Sequence, residues 1–239
     1  TGRGFHDRIG QAANVLAAAG VKPGDRVAVQ VGKSPEALAV YAATVSLGAV
    51  FLPLNTAYTP DEIGYFLGNA SPRLFLCAPA REGQMAPVAA ANGAGLMTLD
   101  GGMGSFATAM AGQGAGFVPV PRGPDDLAAI LYTSGTTGRS KGAMLSHENL
   151  LSNARVLADL WAFTPDDVLL HALPIFHTHG LFVASNTVFL TGGQMIFLPG
   201  FDVAQVLEAL PQATAMMGVP TFYTRLLDEP RFTRDLVAH

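Results

Sequence analysis

Short apolar, β-rich runs alternate with helix-length segments along this chain, and that rhythm points to helices covering largely parallel sheets. Arg26 to Val31 reads as a strand. Ser34-Pro-Glu36 follows with an N-cap, a proline at the first helical position and an acidic first turn, which predicts a helix to about Leu47. Phe51 to Asn55 is the next extended piece. Thr59-Pro-Asp-Glu62 opens another helix by the same cap chemistry, and Pro72 to Ala78 supplies a further strand. A helix over Arg8 to Ala19 precedes this series.

Between Gly101 and Gly123 the sequence is rich in Gly, Ala and Met without a clear period, so a loosely structured connection is expected there. It divides the chain into a first α/β subdomain, 1–120, and a second, 121–239. Strands are predicted at Leu127 to Tyr132, Val168 to Leu173, Gln194 to Leu198 and Thr214 to Gly218. Ser146 to Ala162 reads as a helix with Leu150, Ala154, Leu157, Ala158 and Trp161 on one face. Both ends look cut, so a fragment is expected.

The 239 residues, 49% of them hydrophobic, are enough to bury a real core. A formal charge of -4 without basic clusters argues against nucleic acid and leaves small molecules as the expected partners. The single cysteine, Cys77, lies in the apolar run Leu74-Phe-Leu-Cys-Ala78 and reads as a buried, inert thiol suited to a reducing compartment. No apolar run reaches membrane-spanning length and no leader opens the chain, so a cytoplasmic protein is expected.

Tyr132-Thr-Ser-Gly-Thr-Thr-Gly-Arg-Ser-Lys-Gly142 crowds hydroxyls, glycines and a lysine behind an apolar strand. Glycines let backbone N–H groups face an anion, hydroxyls donate to phosphate oxygens and the lysine adds a point charge. A Walker A loop needs a second glycine where Ser140 stands and a hydroxyl where Gly142 stands, followed by a helix, whereas Ala143-Met-Leu145 looks extended. A plain Ser/Thr/Gly turn between strands is the bland alternative.

This segment resembles the signature loop of the adenylate-forming superfamily, which comprises acyl- and aryl-CoA ligases, luciferases and peptide-synthetase adenylation domains. The resemblance implies mixed, largely parallel sheets flanked by helices, as part of the large N-terminal domain of such an enzyme. It implies that Thr133, Ser134, Gly135, Thr136, Thr137, Gly138 and Lys141 hold the phosphates of ATP, with Thr136 near Mg²⁺ and Lys141 also catalytic. Leu173-Pro-Ile-Phe-His-Thr-His-Gly180 looks like the second landmark of the superfamily, and the resemblance implies that His177 is catalytic and, with His179, binds the acid. For both histidines a structural role is the competing reading. If Thr178 caps a helix starting at His179, that helix end favours an anion. As a metal pair the two histidines lack a third ligand.

His177-Thr-His-Gly-Leu-Phe182 together with Met217-Gly-Val-Pro-Thr-Phe-Tyr-Thr-Arg225 resembles malonyl-CoA and methylmalonyl-CoA synthetases. A dicarboxylic acid needs a charge within an otherwise apolar pocket, and Arg225, among Phe222, Tyr223, Leu226 and Leu227, offers a bidentate partner. An exposed helix arginine is the other reading. The implied activity is ATP-dependent activation of malonate or methylmalonate to an acyl-adenylate and transfer to coenzyme A. A CoA ligase for a fatty or aromatic acid is the alternative, and a non-catalytic ATP-binding subdomain is one of another class. The Tyr-Gly-x-Thr-Glu segment, a later Thr-Gly-Asp and the near-terminal lysine of the superfamily are missing, as is the C-terminal lid domain. The piece by itself is expected to be inactive or nearly so.

Overall fold

The computed structural model describes residues 1–133 and 140–238. They form two compact units, 1–149 and 150–239.

The first unit opens with α1 (Gly2–Ala18), then β1 (Arg26–Gln30), α2 (Pro35–Ser46), β2 (Val50–Pro53), α3 (Pro60–Ala70) and β3 (Leu74–Cys77). The caps behave as their chemistry requires. Ser34 Oγ accepts from Ala37 N at 3.1 Å. Thr59 and Glu62 form a reciprocal capping box, with Glu62 Oε2 accepting from Thr59 N at 2.8 Å and Thr59 Oγ1 accepting from Glu62 N at 3.3 Å. α3 buries Ile63, Phe66, Leu67 and Ala70, the i, i+3, i+4, i+7 stripe of a helix lying on a core.

α4 (Glu82–Ala91), β4 (Gly95–Thr98) and α5 (Ser105–Ala111) complete this part of the chain. None of the three is predicted by the periodicity. α4 carries Pro87 in its interior and spreads apolar residues around its circumference, and α5 has Gly104 at its N-cap and so no side-chain cap. The region expected to be loose is thus helical in its first half. Its second half has neither helix nor strand, yet it is fastened: Asn14 Nδ2 donates to the carbonyls of Gly114 and Gly116, and Val120 N donates 2.8 Å to Ser46 O.

β5 (Leu127–Thr133) and β6 (Lys141–Ser146) belong to the same sheet, whose order is β4-β3-β1-β2-β5-β6. β5 runs parallel to β2, and β6 is antiparallel to β5. The sheet is therefore mixed and largely parallel. β1, β2 and β3 are buried along almost their whole length, as strands covered on both faces must be. A division at residue 120 does not match this arrangement, because β5 completes the first sheet by pairing with β2 and the chain parts at 149/150 instead.

α6 (His147–Leu160) leads from the first unit into the second, which continues with β7 (Val168–His171), α7 (Asn186–Thr191), β8 (Gln194–Phe197), α8 (Val203–Ala209), β9 (Ala215–Met217) and α9 (Pro220–Leu227). Its sheet is parallel, in the order β8-β7-β9. Leu170, Val206, Leu210 and Leu226 form the centre of one core cluster. On α6 the predicted face is realised at Ala154 and Ala158, whereas Trp161 stays 42% exposed. No helix among the described residues is long and apolar enough to cross a membrane.

Candidate active site

In the first unit the site is built on the β5–β6 pair. Its register places Thr133 opposite Lys141, Tyr132 opposite Gly142 and Leu131 opposite Ala143. Thr133 and Lys141 are both exposed and close the open end of the pair, so a hydroxyl and an ammonium face each other where the connecting segment departs. The chain returns from that segment as a strand, which separates this site from a Walker A loop, where a helix follows. Ser134, Gly135, Thr136, Thr137 and Gly138, including the Mg²⁺ assignment at Thr136, lie outside the described residues.

The stem is made tight by a glycine. A Cβ on Gly142 would stand 2.9 Å from Ile130 Cγ2 and 3.5 Å from the Tyr132 ring, so the bare backbone lets the aromatic ring of its cross-strand partner lie over it. Tyr132 packs against Phe66 with ring centroids 4.5 Å apart. Burial first, and then proximity to Tyr65, pushes its phenol above the usual tyrosine range, so it remains a hydrogen-bond donor at neutral pH.

In the second unit β7 ends at His171, and the chain then runs through Leu173-Pro-Ile-Phe176 to a π-helix over His179–Ser185. π-helical turns are rare and concentrate at functional sites. Gly180 is needed here because a Cβ would fall 2.1 Å from Pro174 O. His177 precedes the π-helix, is exposed, and packs against Phe176 with the rings tilted by 59° and their centroids 4.6 Å apart. His179 is the first residue of the π-helix and is half-buried. The anion-favouring cap is not formed: Thr178 is helical at φ -47°, ψ -49° and makes no side-chain cap bond. An N-cap requires an extended backbone to aim its hydroxyl at the following N–H groups.

His171 is the histidine that organises this corner. It is buried, and its Nε2 donates 2.8 Å to Gly180 O, which also accepts from Ser185 Oγ at 2.9 Å. Because a carbonyl only accepts, that contact fixes the proton on Nε2. Its ring meets Phe197 edge to face, 5.0 Å between centroids. The available signal was a histidine inside the apolar run Val168 to Leu173, where burial demands a partner.

Arg225 lies in the last turn of α9 and is exposed. Its guanidinium carbon sits 5.0 Å from the centroid of Phe201, which itself stacks on Phe222 at 4.0 Å and 15°. A planar cation held over an aromatic face keeps its donor edge available for a carboxylate.

The sequence profile of the AMP-binding enzyme family matches residues 1–238. The chain belongs to that family. Among its relatives a feruloyl-CoA synthase of Amycolatopsis sp is 34% identical over 94% of this chain and 44% of its own length. The mitochondrial malonate–CoA ligase of Mus musculus is 34% identical over 76% of this chain and 32% of its own length. Among solved structures, ATP-bound MatB from Rhodopseudomonas palustris superposes with a TM-score of 0.96 at 57% identity, covering 98% of this chain and 47% of that one. The chain thus spans less than half the length of these AMP-binding relatives.

Proposed function

We propose that this chain is the ATP-handling part of an AMP-forming acid–thiol ligase whose acid is malonate or methylmalonate. The observation that carries the reading is the β5–β6 stem, which sets Thr133 against Lys141 at its open end and returns as a strand. A hydroxyl and a fixed cation there suit the oxygens of a triphosphate. The 57% identity to an ATP-bound MatB structure and the likeness to a malonate–CoA ligase support the nucleotide and the acid.

In this reaction a carboxylate oxygen attacks the α-phosphorus of ATP and the bond to pyrophosphate breaks. A thiolate then attacks the acyl carbonyl of the adenylate, the acyl–phosphate bond breaks, and AMP leaves with the electron pair. Both reactants of the first step are anions, so the contribution of the protein is alignment and charge neutralisation. Lys141 supplies positive charge at the phosphates, and Mg²⁺, the usual companion of ATP, would add charge neutralisation there. Arg225 is the group we assign to the distal carboxylate of the acid, and His177 and His179 border the acyl side. Coenzyme A is the proposed thiol.

An aromatic acid is the second reading, favoured by the 34% identity to a feruloyl-CoA synthase. Exchange of labelled pyrophosphate into ATP by the intact gene product, across malonate, methylmalonate, acetate, octanoate and ferulate, separates the two. Malonate or methylmalonate should lead the panel. Exchange driven best by ferulate or octanoate would replace the proposed acid.

A further inference from the structure

α3 grips both legs of the phosphate-loop stem with two side chains one helical turn apart. Tyr65 Oη donates 2.9 Å to the carbonyl of Ser140, the residue before Lys141. Asn69 Oδ1 accepts from Tyr132 Oη, the residue before Thr133. Tyr65 and Asn69 are i and i+4, so they project from one face of the helix and reach the two strands side by side. Tyr65 also meets Tyr132 edge to face, at 65° with centroids 6.4 Å apart.

The two ends of this arrangement differ in rigidity. α3 is anchored by its capping box and by the burial of Ile63, Phe66 and Leu67. β6 is an edge strand, exposed from Lys141 to Met144, and among the described residues it pairs only with β5. Terminal pairs of such a hairpin open readily unless something outside the ladder holds them. The α3 side chains supply that hold at the Thr133–Lys141 end, where the register matters most.

We propose that Tyr65 and Asn69 are positioning residues for ATP: they act through Ser140 and Tyr132 to keep Thr133 and Lys141 in the register that meets the phosphates. The inference rests on reading the stem as a phosphate site, and it needs no assumption about the acid.

The test is MgATP affinity by calorimetry on the intact gene product, with pyrophosphate exchange in parallel. Tyr65→Phe keeps the ring and removes the hydroxyl, and should weaken MgATP about fivefold, the worth of one ordinary hydrogen bond. Asn69→Ala should do the same, while Asn69→Asp, which still accepts from Tyr132, should stay within about twofold of wild type. The KM of the acid should not move. In a Lys141→Ala background Tyr65→Phe should cause a smaller loss than in wild type, because part of its effect passes through Lys141. A shift in melting temperature with unchanged MgATP affinity in Tyr65→Phe and Asn69→Ala would reduce the clasp to a structural contact and overturn the proposal. Equal loss in the Lys141→Ala background would overturn it also. A wild type that binds MgATP but exchanges pyrophosphate with no acid removes the ligase reading alone, and the affinity ratios still decide the clasp. A wild type that binds no MgATP overturns both.

Discussion

Replacing His171 tests whether the corner between β7 and the π-helix over His179–Ser185 is held by a polar pin or by packing alone. The ring is 1% exposed, faces Phe197 at 5.0 Å, and donates to a carbonyl that Ser185 also supplies. His171→Ala removes a ring from a close-packed site, at a cost near that of truncating a buried aromatic, about 3–5 kcal/mol including the lost edge-to-face contact. His171→Phe refills most of that volume and gives up the bond to Gly180 O, about 1 kcal/mol for that bond, because Gly180 O keeps Ser185 as a donor. Ser185→Ala should cost a similar amount for the same reason. The combination His171→Phe with Ser185→Ala takes both side-chain donors from the Gly180 carbonyl, so its cost should exceed the sum of the single changes, by up to about 1–3 kcal/mol. Urea unfolding of the 239-residue chain, followed by the fluorescence of its one tryptophan, Trp161, reads these differences in the unit that contains them. Strict additivity of the double variant, or a His171→Phe as damaging as His171→Ala, would refute the shared-acceptor argument.

Three further changes probe other levels of the molecule. Arg225→Ala should lower kcat/KM for malonate by about 10- to 100-fold, the worth of a charge-assisted pair, and change a monocarboxylic acid by less than about threefold; equal losses for both acids remove Arg225 from the distal carboxylate. Burial depresses Lys33 from 10.5 to about 7, so between those values the unfolded chain binds more protons and stability climbs with pH; Lys33→Met should therefore stabilise most near pH 7 and progressively less toward pH 10, and a gap that does not change with pH contradicts this. Cys77 is pushed up from 9.0 to about 11, chiefly by burial and then by Glu82, so at pH 8 only about one thiol in a thousand is ionised; iodoacetamide should label it promptly in urea and hardly at all in the native chain, and equal labelling rates would show that the strand is not closed.

The parts of this molecule that could be read from its sequence are those in which local chemistry and tertiary demand coincide. Ser34, Thr59 and Glu62 cap their helices whatever lies around them, and the apolar runs at β1, β2, β3 and β7 leave little alternative to burial in a sheet. α4, β4 and α5 were silent because their helices have no apolar period and β4 is exposed or half-buried at its first three positions, so only the neighbouring β3 defines it as a strand. The subdomain boundary could not be read for a related reason. A glycine-rich stretch signals a connection, but whether β5 then starts a new sheet or completes the old one depends on its pairing with β2 across more than seventy residues of chain, which no local pattern encodes.

The site divides along the same line. As candidates for the proposed phosphate site, Thr133 and Lys141 were legible because hydroxyls, glycines and a lysine after a strand suit phosphate, and the following extended residues excluded the helix of a Walker loop. His177 and Arg225 entered through resemblance. Their surroundings, an exposed ring against Phe176 and a guanidinium over Phe201, have no periodic signature. His171, Tyr65 and Asn69 were missed altogether, since each acts on a backbone carbonyl or on another side chain far along the chain. The hydroxyl-rich motif and the residues that hold its stem are therefore different kinds of information. A ligand-facing residue is recognisable by its chemical type, whereas a positioning residue is recognisable only by its partner. Tyr65 would pass for an ordinary helix tyrosine were its hydroxyl not 2.9 Å from Ser140 O, at the foot of the strand that carries Lys141.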